Sequence, residues 1–178
     1  MAIKKTIQIW NPILAKKAKT IKDIHAPDTK KLIKDLIDSM RANNLVGMAA
    51  PQIWISKRIF ITEIRETKFR KAKDADTLKI FINPTITWRS QKSWVMYEWC
   101  WSVAYSKIFA PVKRSSTIII EAYNEHREKN CLKIDGLLAR VIQHEYDHLD
   151  GVCFTEHITD MKKIMSDEEY IKRIVNKK

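Results

Sequence analysis

The run Gly136-Leu137-Leu138-Ala139-Arg140-Val141-Ile142-Gln143-His144-Glu145-Tyr146-Asp147-His148-Leu149-Asp150-Gly151 decides the reading of this chain. Its apolar residues recur at helical spacing, which predicts a helix from Gly136 to about Asp150. Within it stands the pentad His144-Glu145-Tyr146-Asp147-His148, an HExxH. Two imidazoles so spaced lie one turn apart on one helix face and reach a single metal ion. The carboxylate beside the first histidine is then placed to handle a proton of water at that ion. On a helical wheel Leu137, Val141, His144 and His148 form one stripe, with Leu138, Ile142, Glu145 and Leu149 beside it. Arg140, Gln143 and Asp147 project the other way. The histidines therefore face the core, where two buried imidazoles flanking a buried carboxylate are costly without a ligand to compensate.

A third ligand can come from three places. The pattern HExxHxxGxxH finds Gly151 here but meets Phe154 where its last histidine belongs. A downstream acid such as Glu168 or Glu169 falls in the charged run Asp167-Glu168-Glu169, which reads better as the start of a helix. The remaining option is Cys100, since a thiolate with two imidazoles makes a tetrahedral site with an open fourth position.

The 178 residues fit one domain, 1–178, with 45% hydrophobic and 30% charged residues, a balance that excludes global disorder. The longest purely aliphatic run, Ile118-Ile119-Ile120, is far too short to span a membrane, and no apolar segment follows the first lysines. A cytoplasmic location without membrane contact is expected. Three cysteines, an odd count, argue against a disulfide framework. The net charge of +12 suggests a polyanionic partner.

Working outward, residues 1–27 read as a basic, extended, surface-hugging arm interrupted by Pro12 and Pro27. Asp28 is expected to cap a helix ending near Arg41, with Asn43-Asn44 as its stop. Strands are expected at 58–64, 78–83 and 116–122, with a charged loop at 65–77. Trp88, Trp94, Trp99 and Trp101 mark the region between the later strands. A last helix is expected over about 166–176, inside a basic segment 162–178. Helices and strands do not alternate regularly, so the fold class is α+β: mixed or antiparallel strands around a central HExxH helix, with a C-terminal helix.

Three segments together resemble peptide deformylase. The family motifs GxGLAAPQ, EGCLS and QHExDHLxG find counterparts in Leu45-Val46-Gly47-Met48-Ala49-Ala50-Pro51-Gln52, Glu98-Trp99-Cys100-Trp101-Ser102 and Gln143 to Gly151. The opening Ile7-Gln8-Ile9-Trp10-Asn11-Pro12-Ile13-Leu14 is similar to the family's first segment. The resemblance implies Cys100, His144 and His148 as ligands of one divalent metal, natively Fe²⁺ with Zn²⁺ or Ni²⁺ as substitutes. It implies Glu145 as general base and then acid, with Gln52 and the backbone N–H of Trp101 stabilising the oxyanion. Gly47 would allow close backbone approach near the substrate, and Trp99 and Lys107 are further candidates to face it. The implied reaction removes the N-formyl group of formyl-methionine from a nascent peptide, with the ribosome as a partner of the basic tail.

The chain departs from the motifs at Leu45, Trp99 and Trp101. The family's arginine after Val-Pro is expected to be displaced or lost, since the chain reads Ala110-Pro111-Val112-Lys113-Arg114. Two other readings are a deformylase-like ribosome- or RNA-binding protein with decayed catalysis, and a metal-dependent amidase of altered specificity.

Overall fold

The computed structural model describes residues 3–66 and 75–176. Its first helix, α1 (Pro27–Ala42), turns Leu32, Ile33, Leu36 and Met40 inward. Pro27 occupies the first turn, where a missing N–H costs nothing, and no side chain caps the helix; the expected role of Asp28 is not seen. Asn44, in the left-handed region at φ 56°, turns the chain out of it.

Strands β1 (Gly47–Ala49), β2 (Ile59–Ile64), β3 (Asp76–Arg89), β6 (Thr117–Tyr123) and β7 (Lys129–Asp135) form one antiparallel sheet in the order β1-β2-β3-β6-β7. Strands β4 (Ser93–Glu98), β5 (Ile108–Ser115) and β8 (Met165–Ser166) form a second, also antiparallel. Helix α2 (Gly136–Asp150) lies against the larger sheet and touches β5 of the smaller one. Helix α3 (Asp167–Tyr170) continues into a wider turn through Val175.

Strand β2 shows why the larger sheet carries near-continuous apolar runs. Ile59 and Ile61 pack with Leu36 and Met40 of α1, whereas Phe60 packs with Ile142 and Leu149 of α2. Phe60 stacks on Phe81 of β3, with ring centroids 4.7 Å apart.

The strands expected at 58–64, 78–83 and 116–122 are parts of β2, β3 and β6. Strands β4, β5 and β7 are further elements: Trp94 lies inside β4, and Trp88 inside a β3 longer than expected. Of the expected charged loop, residues 67–74 lie outside the described residues, and from Asp76 the chain is already in β3.

The N-terminal arm does more than hug the surface. Ile7, Leu14, Ala18, Ile21 and Ile24 are buried. Asn83 holds the backbone of Ile21 on both sides, accepting its N–H and donating to its C=O, each at 2.8 Å. At Gly151, where φ is 80°, a Cβ would lie 2.8 Å from the Ala15 carbonyl carbon, so the arm crosses the end of α2 only because that residue is glycine.

Candidate active site

Helix α2 carries His144 and His148 side by side, with ring centroids 5.1 Å apart. The chain leaving β4 brings Cys100 against them: its Sγ lies 3.2 Å from His148 Nε2. One ligand atom from each of the three residues falls within 4.8 Å of the others. Burial pushes the Cys100 thiol up, but His148 and His144 more than offset this and bring it down to about 5. Burial likewise lowers both imidazoles, and Cys100 raises them beyond their ordinary value.

Glu98, two residues before Cys100, orients the first histidine. Its Oε2 lies 3.1 Å from His144 Nδ1, which places a proton on Nδ1 and leaves Nε2 free to ligate. Arg114 donates to both Glu98 oxygens, at 3.0 and 2.9 Å, and Arg140 donates to Oε1. Arg114 also pairs with Asp147, which His157 contacts at 2.8 Å. Burial pushes Glu98 up, but its bonds to His144 and Arg114 hold it well below the usual carboxylate range.

Two expectations are corrected by this network. Arg140 and Gln143 are buried, not projected away from the core; β4 and β5 cover that flank of α2, where Arg140 meets the Trp94 and Val112 carbonyls and Gln143 the Ser115 carbonyl. The arginine expected to be displaced or lost is not lost from the interior, because Arg114 reaches back and clamps Glu98.

Glu145 is 5% exposed, and its Oε2 is buried without a hydrogen-bond partner. Burial raises its carboxyl to about 7, against the lowering effect of His144 and His148. Gly47 is what admits it: a Cβ at residue 47 would stand 2.5 Å from Glu145 Oε1. The close approach expected at Gly47 is thus made by Glu145 itself.

Gln52 is aimed by its surroundings. Its Oε1 accepts from the Ala49 N–H at 2.8 Å, so Nε2 points the other way, donating to Ser102 Oγ at 3.2 Å and lying 3.6 Å from Cys100 Sγ. The Trp101 C=O accepts from Gln8 Nε2 at 3.0 Å. The arm stitches both segments together, through Ile7 N–H to Gln52 C=O at 2.8 Å and Ile9 N–H to Ser102 C=O at 2.7 Å. Just beyond, Ala104, Tyr105 and Ser106 all have positive φ, a strained turn that sets Tyr105 edge-on to Trp101.

The motif departures are accommodated locally. Leu45 packs against the α1 cluster, and neither it nor Trp99 has a left-handed backbone. Lys107 is exposed and pairs with Asp167 at the start of α3 rather than with a group of the cluster. Glu168 and Glu169 sit in that same short helix, away from the histidines.

One thiolate and two imidazoles, one of them oriented by a carboxylate, fit a divalent ion of borderline softness. An unpartnered buried carboxyl beside them fits a proton carrier.

A family model described as polypeptide deformylase matches residues 3–164. The peptide deformylase of Pseudothermotoga lettingae is 36% identical over 161 residues, covering 90% of this chain and 86% of that protein. The crystal structure of peptide deformylase from Thermotoga maritima is similar with a TM-score of 0.79 and 30% identity, covering 90% of this chain and all (100%) of that one. The Met-Ala-Ser bound crystal structure of class I type b peptide deformylase from Acinetobacter baumannii is similar with a TM-score of 0.81 and 27% identity, covering 88% of this chain and 99% of that one.

Proposed function

The chain belongs to the polypeptide deformylase family, and we propose that it removes the formyl group from nascent peptides with Cys100, His144 and His148 holding the metal and Glu145 moving the proton. The observation that carries this reading is the meeting of the three ligand atoms within 4.8 Å beside a buried, unpartnered carboxyl. The ion, when bound, supplies Lewis-acid chemistry: it polarises a carbonyl and acidifies water.

The rest is the work of the chain's own groups. Glu145 Oε2 takes a proton from the attacking water and later returns it to the amine nitrogen that leaves the formyl group. A carboxyl raised to about 7 suits both steps, since efficient acid–base catalysis wants a pKa near the working pH. As charge develops on the formyl oxygen, Gln52 Nε2 and the Trp101 N–H donate to it; these donors are held by Ala49 and Gln8 before substrate arrives. Glu98, through His144 Nδ1, keeps the first ligand in its working tautomer. Gly47 serves by making room for Glu145.

We expect Fe²⁺ as the native ion, with Zn²⁺ or Ni²⁺ able to replace it. Anaerobically loaded protein should release formate from formyl-Met peptides. Glu145→Ala should remove nearly all turnover while metal content, measured on the same preparation, stays the same. Fully metallated protein that releases no formate would end this reading.

A cytoplasmic setting follows from this substrate. No helix among the described residues is long and apolar enough to cross a membrane. The ribosome is the proposed polyanionic partner, contacted through the basic segment 162–178. Within it Lys163 pairs with Asp160, and Lys172 and Arg173 with Glu169, which tempers its charge. Ribosome binding should weaken steeply between low and moderate salt and fall on deletion of residues 167–178; salt-insensitive binding would refute the contact.

A further inference from the structure

Trp99 stands next to the ligand Cys100, where the family motif has glycine. One face of its indole stacks on Phe109 of β5, with centroids 5.1 Å apart and 28° between planes. Phe109 stacks in turn on Tyr170 of α3 at 4.3 Å and 14°, and Tyr170 lies 5.5 Å from Tyr97 of β4. Despite this bracing, Trp99 keeps 45% of its surface open. The alternation of β4, carried one residue past its end, puts Val95, Tyr97 and Trp99 on one face, and Val95 is 60% exposed. An indole held from one side and open on the other offers a flat apolar platform at low entropic cost.

Reach decides what the platform meets. Neighbouring Cα atoms are about 3.8 Å apart, so the residue-99 side chain starts one residue from the ligand. An extended peptide advances about 3.3 Å per residue, so with its formyl group at Cys100 the next one or two side chains pass residue 99.

We propose that Trp99, braced by Phe109 and Tyr170, is a specificity-determining residue. It stacks against the second or third side chain of the formylated peptide and favours aromatic or large apolar residues there. This inference rests on the deformylase reading above.

The test uses unformylated tripeptides, so that binding is read without turnover. Met-Ala-Ser, Met-Phe-Ser and Met-Ala-Phe are titrated calorimetrically into metal-loaded protein. At least one phenylalanine peptide should bind about three- to tenfold more tightly than Met-Ala-Ser, the range of one aromatic stack. In Trp99→Leu, which keeps apolar bulk without the ring, that difference should shrink below about twofold. Tyr170→Leu, which removes the brace, should reduce it part of the way. No measurable difference among the three peptides, or a preference that survives Trp99→Leu, overturns the proposal. Formate release from formyl-Met-Ala-Ser is measured alongside: its absence with the discrimination intact would sink the deformylase reading and leave the platform standing.

Discussion

Gly47 shows how a single missing methyl group can set a reaction centre. A Cβ there would stand 2.5 Å from Glu145 Oε1 and 2.8 Å from the Cδ and Cγ atoms, all inside contact distance. Gly47→Ala should therefore push the carboxyl aside without touching a ligand. A shift of this size is expected to lower kcat by about ten- to a hundredfold, with metal content unchanged. Steady-state kinetics with metal determination on one sample checks this, and an unaltered kcat would show that Glu145 tolerates displacement. The sequence already shows Gly47 in a motif, yet not what it touches, because its neighbour in space is nearly a hundred positions away.

Helix α2 is legible as an element and illegible as an environment. Its bounds, Gly136–Asp150, are those its apolar spacing predicts. What the spacing hides is that the charged flank is covered too. Arg140 sits four residues before His144, and periodicity alone assigns such a residue to solvent. Here Glu98 from β4 and Arg114 from β5 meet it and make the flank an interior. Glu98→Gln should leave Arg114 and Arg140 buried without their counter-charge, costing about 3–5 kcal/mol. Loss of the His144 contact should weaken metal affinity by about 10- to 100-fold. The pH dependence has a definite sign. Glu98 is held below its unfolded value, so its stabilisation is complete above about pH 4.3 and is lost as pH falls from there toward the folded value. Acid titration of folding stability should show that component in the parent chain and not in Glu98→Gln; equal slopes would contradict it.

Across the whole molecule, the candidate site is where separate layers are tied together. Cys100 follows the smaller sheet's β4, Glu145 faces β1 of the larger sheet, and both histidines belong to the helix between them. A bound ion therefore cross-links α2 to the end of β4. Chelation should lower the thermal midpoint and re-addition restore it; at a free-ion level 1,000 times Kd the ion contributes about 4 kcal/mol. A midpoint indifferent to the ion would place it outside these ligands.

Sequence alone determined the central helix, its paired histidines and adjacent carboxylate, the third donor by elimination, and the α+β class. Helical periodicity and ligand chemistry are local properties, and residues four apart on a helix meet whatever surrounds them. Only the tertiary structure decided that Arg114 and Arg140 clamp Glu98, that Gly47 makes room for Glu145, that Lys107 is taken up by Asp167, and that Trp99 lies braced on Phe109 and Tyr170. Each of those contacts joins elements distant in sequence, and the geometry that unites them exists only once both sheets have packed around α2.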